Sequence, residues 1–493
     1  MRRRWYPAMA AVAVVAAGLT WTGLPSAQAQ SSDLDWSDCG GRAQCATLTV
    51  PVDWNDPDGP TTRVNLAKLP ARDPGAADRP LLVNLGAGNT TAALEADQVP
   101  PGVAALNERF DVIGFDPRGL GKDANDTLIH CAESQAPYPG LVLAEDAKDW
   151  RAHAKRNAKY ERSCREAAGA EYAGLTSTQI AHDMDALRTA LDQPKLKYFG
   201  NSYGTSYGQA YAELFGDKVE RMYLDGVADH TQPKLSDWLT NYARTTEQQL
   251  TEFADWCSTR DGCALNDEDA AKVWDDLVKR AETEPIPAPG AGDGETVNVR
   301  ELLAGGHFGL TPTSWPRLAV AMDSARDGDA SDFLTELVWP PDTGKGGHVQ
   351  GALLCNDFMP EQLSYRQTLK LEKRLRDIAP RIGWVTARAE LSRCVGMDAK
   401  PANPPHRLDV DDLPPVLVGI GDLDANTPHH GAENVASQLP DASVLRHGDG
   451  HAAFVLGNKC LANHVTAYFA DGTLPDEGTR CPGELVDQIP DKP

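Results

Sequence analysis

The chain has 493 residues, 41% of them hydrophobic, and carries 71 Asp and Glu against 47 Lys and Arg, for a formal net charge of -24. That length and apolar content allow a sizeable core, built either as several domains or as one large α/β domain with insertions. The acidity excludes nucleic-acid binding and attachment to anionic lipid by charge, and says nothing about fold.

Met1 to Ala29 opens with Arg2, Arg3 and Arg4, continues as an apolar stretch from Ala8 to Leu19 and ends on Ala27-Gln28-Ala29. The pattern predicts a cleaved secretory signal at 1–29, because the apolar part is shorter than the roughly 20 residues of a membrane span. A secreted, extracellular protein with no membrane contact after processing is the expectation. The ten cysteines, at 39, 45, 131, 164, 257, 263, 355, 394, 460 and 481, all lie beyond that segment. An even number in an exported chain predicts disulfides, and the lack of C-x-x-C argues against zinc or redox work. Pairing each cysteine with its sequence neighbour is the simplest of many connectivities.

Cys45 to Trp54 and Thr62 to Leu69 read as two strands joined by an Asn-Asp-Pro-Asp-Gly-Pro turn. Leu81 to Leu85 is a short apolar run followed by Gly86-Ala87-Gly88-Asn89, and Phe110 to Asp116 is a further strand. From Thr176 to Leu191, Ile180, Met184, Leu187 and Leu191 share one helical face, with Thr176 or Ser177 as the cap. A strand and a helix then flank the tight turn Gly200-Asn201-Ser202-Tyr203-Gly204, and Arg221 to Val227 is the next strand. Strands alternating with helices predict a mostly parallel sheet covered on both faces.

The pattern changes near Ala228. Helical stretches at 236–256, 268–282 and 314–326, with a Pro- and Gly-rich break at 285–294, predict an inserted helical lid over 231–404. It would separate two parts of an α/β core, 30–230 and 405–493. Trp238, Trp256, Trp274, Trp315 and Trp339 read as lid core, with pocket lining as the alternative. Strands return at Pro414 to Ile420 and Ser443 to Arg446, a helix near 460–470 closes the fold, and the acidic tail after Pro482 is expected to be loose.

G-x-S-x-G between a strand and a helix is the pattern of a nucleophile elbow, which makes Ser202 the candidate nucleophile. A serine hydroxyl is a poor nucleophile at neutral pH and needs a base within reach and an acid to orient that base. Asp424 and Asp422 end one returning strand; Asp424 lies further into the loop, where it can turn toward a histidine, whereas Asp422 suits a local turn. His451, after a glycine turn, is favoured over His429, His430 and His447. The order Ser, Asp, His is that of α/β-hydrolases. Oxyanion donors are expected from the backbone N–H of Tyr203 and from the loop after Leu85, at Ala87.

FDVIGFDPRGLG at 110–121, DMDALRTAL at 183–191, YFGNSYGTSYGQAYAELF at 198–215, RMYLDGV at 221–227, LLCND at 353–357, GDLDANTP at 421–428, GDGHAAF at 448–454 and ADGTLPDEGTRC at 470–481 together resemble the secreted tripeptidyl aminopeptidase group of bacterial α/β-hydrolases. The resemblance covers most of the mature chain and implies an α/β-hydrolase fold with its nucleophile, acid and base at Ser202, Asp424 and His451. It implies a peptidase, most simply one releasing short peptides from free N-termini. Relatives usually carry Asn-Pro-Gly-Gly-Pro-Gly-Gly-Ser-Gly after the first core strand, where this chain has Asn84-Leu85-Gly86-Ala87-Gly88-Asn89-Thr90-Thr91-Ala92. That departure fits an alternative, removal of an N-acyl group from a small natural product. A binding protein on a hydrolase scaffold is a third reading. Asp225 and Asp357 lie in family-like motifs and read as structural. The partner is then a peptide or an N-acylated small molecule, the chain a monomer, and no metal or organic cofactor is implied.

Overall fold

The computed structural model describes residues 34–73, 78–86, 90–96, 98–338, 347–359, 361–398 and 402–493. The expected signal segment 1–29, Ala87 and Trp339 lie outside the described residues.

Ten strands form the main sheet: β1 (Ser37–Gly40), β2 (Ala43–Pro51), β3 (Thr61–Leu69), β4 (Asp78–Asn84), β5 (Phe110–Phe115), β6 (Leu196–Asn201), β7 (Val219–Asp225), β8 (Leu417–Gly421), β9 (Ser443–His447) and β10 (Arg480–Cys481). Their spatial order is β1-β2-β3-β5-β4-β6-β7-β8-β9-β10. The first three pair antiparallel, β3 meets β5 antiparallel, and every pairing from β5 onward is parallel. Successive side chains of a strand point to opposite faces. Leu81, Val83, Phe199 and Tyr223 accordingly join one buried cluster, with the helices Pro101–Asn107 and Lys459–Asp471. Leu82, Tyr198, Met222 and Leu224 join the other, with the helices Ser177–Ala190 and Tyr203–Phe215. The expected double cover is present. Thr176 caps its helix, its side chain accepting from the Gln179 N–H.

Two of the motifs that carry the family resemblance hold the fold. Arg118 of FDPRGLG is fully buried, its Nε donating to Asp183 Oδ2 at 2.8 Å. Trp54 Nε1 donates to the other Asp183 oxygen at 2.8 Å. The pair ties the loop after β5 to the helix that precedes the nucleophile strand.

Between β7 and β8 the described chain adds helices and short two-residue strands, none of which joins the main sheet. Trp256, Trp274 and Trp315 are buried within this helical part, while Trp238 lines a cavity. All five disulfides pair sequence neighbours: Cys39–Cys45, Cys131–Cys164, Cys257–Cys263, Cys355–Cys394 and Cys460–Cys481. The tail expected to be loose is instead fastened. Glu484 accepts from the N–H groups of Lys459 and Cys460, and Asp449 accepts from those of Leu485 and Val486. Glu484 thus caps the helix Lys459–Asp471, and tail amides satisfy the buried Asp449.

Candidate active site

Parallel strands that end together put their loops at one edge. Ser202 follows β6, Asp424 follows β8 and His451 follows β9. The turn after β6 forces Ser202 to φ 55° and ψ -123°, a backbone conformation that L-residues rarely hold and that is characteristic of a strained functional turn. Three bonds over-determine it. The Ser202 N–H donates to Asp225 O at 3.0 Å, and the Ser202 carbonyl accepts from the N–H of Thr205 at 2.9 Å and from its hydroxyl at 2.5 Å. The hydroxyl-bearing side chain is thereby turned out of the sheet, into a cavity of about 670 Å³ that His451 also lines.

Asp424 is 1% exposed, and its carboxylate is fully engaged. Oδ1 accepts from the N–H groups of Asn426 and Thr427, each at 2.9 Å, and Oδ2 accepts from the Thr427 hydroxyl at 2.6 Å. Oδ2 also meets His451 Nδ1 at 2.9 Å. A carboxylate on Nδ1 makes that nitrogen the donor and leaves Nε2 as the basic atom facing the cavity. Burial opposes the charge on Asp424, yet the His451 charge and the bonds from His451 and Thr427 outweigh it and hold the carboxyl below its usual range. For His451 burial disfavours imidazolium, but the Asp424 charge, the shared hydrogen bond and the Asp225 charge behind it carry the ring above its usual value. Gly226, after β7, passes under this contact. A Cβ there would lie 3.0 Å from His451 Nδ1 and 3.3 Å from Asp424 Oδ2, in a backbone conformation of φ +58° that favours glycine, so a larger residue would crowd the contact.

The loop after β4 closes the other side. Gly86 holds φ +99°, and a Cβ on it would stand 2.7 Å from Ser202 Cβ and 2.8 Å from Asn201 O. The Tyr203 N–H opens the helix Tyr203–Phe215, where first-turn amides have no acceptor within the helix. Of the two expected oxyanion donors, the Tyr203 N–H thus borders Ser202, and Ala87 lies outside the described residues.

The rejected alternatives sit elsewhere. His429 and His430 begin the helix His429–Ala436, and His447 ends β9 beside Asp225, its Nε2 3.7 Å from Oδ1. Asp422 pairs with Arg446 and Arg480, not with local backbone as expected: two neighbouring strands present cations to it. Asp357 accepts from the Ser177 N–H at 2.9 Å, and burial lifts its carboxyl to about 7. Neither it nor Asp225 lines the cavity. Sequence reasoning missed Thr427, whose only signal was its place in GDLDANTP. It also missed a polar wall of Tyr138, His307, Glu390 and Arg393, which no motif announced.

Residues 80–288 match the alpha/beta hydrolase fold family and residues 379–481 match the TAP-like protein family. Serine protease Hip1 of Mycobacterium tuberculosis is 28% identical over 521 residues, covering 97% of this chain and 97% of its own. Tripeptidyl aminopeptidase of Streptomyces lividans is 26% identical over 491 residues, 93% of this chain and 88% of its own. Carboxylesterase B of Mycobacterium tuberculosis is 26% identical over 454 residues, 89% of this chain and 86% of its own. Fold and relatives together define an α/β-hydrolase, and a serine hydrolase acting on peptide bonds. Within that class the chain is similar to the tripeptidyl aminopeptidases, and its residues 379–481 match the TAP-like protein family.

Proposed function

We propose that the protein is an exported, monomeric aminopeptidase that releases short peptides from free N-termini through an acyl-enzyme on Ser202. His451 Nε2 takes the Ser202 proton as the hydroxyl attacks the scissile carbonyl, and Asp424 holds the imidazole in the required tautomer. The resulting oxyanion is received by the Tyr203 N–H and by the loop that begins at Gly86 and includes Ala87. The proton then passes to the departing amine, which carries the rest of the peptide away. Water, deprotonated by the same histidine, frees the new acid and restores the serine. The observation that carries the reading is one arrangement: a strained Ser202 and a His451 held at 2.9 Å by Asp424 open onto the same cavity. The helical part over the sheet supplies much of that cavity's wall, which is the role proposed for the lid at 231–404. Five disulfides support export, and no described helix is long and apolar enough to cross a membrane.

A tripeptide p-nitroanilide with a free amine, compared with its N-acetyl form, tests substrate class. The free peptide should be the better substrate; preference for the acetylated one would favour the deacylase reading that the loop at 84–92 raised. Ser202→Ala should lower turnover on the order of 10⁶-fold and abolish labelling by a fluorophosphonate, with an unchanged circular dichroism spectrum. Retained labelling would remove Ser202 from the mechanism.

A further inference from the structure

The cavity wall away from Ser202 is built by the polar group that sequence reasoning missed. Glu390 lies on the short helix Thr386–Leu391 and is 6% exposed. Its Oε1 accepts from the Tyr138 hydroxyl at 2.9 Å and its Oε2 from Arg393 Nε at 3.2 Å. Arg393 stacks on the Tyr138 ring, 4.1 Å from its centre. His307 Nε2 meets the same Tyr138 hydroxyl at 3.2 Å. Burial holds the His307 imidazole at about 4, so the ring is neutral at working pH.

Hydrogen-bond direction then follows by counting protons. Tyr138 spends its only hydrogen on Glu390, so it must accept from His307, which makes Nε2 the protonated nitrogen. His307 Nδ1 is left as a bare acceptor, buried and with no partner among the described residues. Glu390 has two further lone-pair sites beyond the two bonds it accepts. Glu390 lines the cavity together with His307, Tyr138, Tyr203 and Tyr242, so one wall offers a carboxylate with spare acceptor capacity among aromatic side chains. Acceptors plus aromatic faces suit an ammonium group.

The other acid on the cavity does not compete. Both Asp229 oxygens are taken, by the N–H and hydroxyl of Thr231 and by Asn434 Nδ2.

Resting on the aminopeptidase reading above, we propose that Glu390, oriented by Tyr138 and Arg393 and joined by His307, is the subsite for the free α-ammonium of the peptide substrate. The distance from that wall to the serine then meters how many residues are released, because the amine is the fixed end. Acetylation removes both the charge and two donors, and leaves Glu390 facing a methyl group.

The test is the ratio of kcat/KM for a free-amine tripeptide p-nitroanilide to that for its N-acetyl form. In Glu390→Gln, which keeps an acceptor for Tyr138, this ratio should fall at least tenfold, with the loss carried in KM of the free peptide. Glu390→Asp, which retains charge with shorter reach, should fall between the two. Fluorophosphonate labelling of each variant checks that the site is assembled. A wild-type enzyme that prefers the free amine, with the ratio unchanged in both variants, overturns the subsite and leaves the aminopeptidase standing. A wild type with no such preference overturns both. If Glu390→Gln instead improves only substrates with acidic side chains, the wall serves Arg393 and the proposal fails.

Discussion

A proton leaving Ser202 has to land on a neutral His451, so the ring's titration sets the acid limit of catalysis. Burial pushes the ring toward neutrality, but the Asp424 charge and hydrogen bond prevail and hold it above the ordinary 6.5. The acid limb of kcat/KM should therefore have its midpoint above 6.5, with activity full on the alkaline side and lost as pH falls through it. Asp424→Asn removes the raising influence. Its limb should move to lower pH while kcat drops on the order of 10⁴-fold, since the wrong tautomer then faces the serine. A pH-rate profile on an activated ester reads both effects, and an unmoved limb would mean that another group is titrating. Gly86 gives a steric prediction. A methyl there meets the Ser202 side chain and the Asn201 carbonyl in a backbone conformation that alanine disfavours. Gly86→Ala should lower kcat by about 10² or more through displacement of the nucleophile.

At the scale of elements, the Arg118–Asp183 pair is the sharpest case of a motif whose conspicuous residues hold structure. Both side chains are almost wholly buried, so removing one leaves an uncompensated charge. Arg118→Met should cost about 3–5 kcal/mol in urea denaturation, and the double variant with Asp183→Leu should recover much of it, because the desolvation cost goes with both charges. Folded Arg118→Met should keep the kcat of the parent. Elements with apolar periodicity were legible in the sequence: the strands of the core, the helix capped by Thr176 and the elbow all fall within a few residues of their expected places. The strand expected at 221–227 ends at Asp225, because Gly226 takes a φ of +58° and turns under His451. The helix Ala147–Ala168 escaped notice, since its buried stripe is His153, Asn157, Tyr160, Glu161 and Cys164 beside Trp150. Helical spacing was there, written in polar and aromatic letters. Glu390 was illegible for a related reason: a buried Glu in a six-residue helix has no period, and its neighbours Tyr138 and His307 come from distant segments.

For the whole molecule, the reactive groups belong to the sheet edge, and the polar wall is built by the helical part between β7 and β8 with Tyr138 added from the stretch between β5 and β6. The first arrangement is fixed by parallel strands in register, which any change of substrate would leave alone. The second depends on how distant loops are tied together, and there sequence offered an even cysteine count and neighbour pairing, which the five disulfides follow.

Cys355–Cys394 joins the helix Gln350–Phe358, which contributes Gln350, Gly351, Leu354 and Phe358 to the cavity, to the residue directly after Arg393. Closing a loop of that length is worth about 4 kcal/mol by chain entropy. Replacing both cysteines with serine should therefore blunt the preference for free amines more than it blunts fluorophosphonate labelling, because the sheet edge does not rely on the crosslink. A producing cell's thiol-rich interior would keep that clasp undone. If the chain is exported as proposed, it would acquire its discrimination between peptides only on reaching oxidising surroundings.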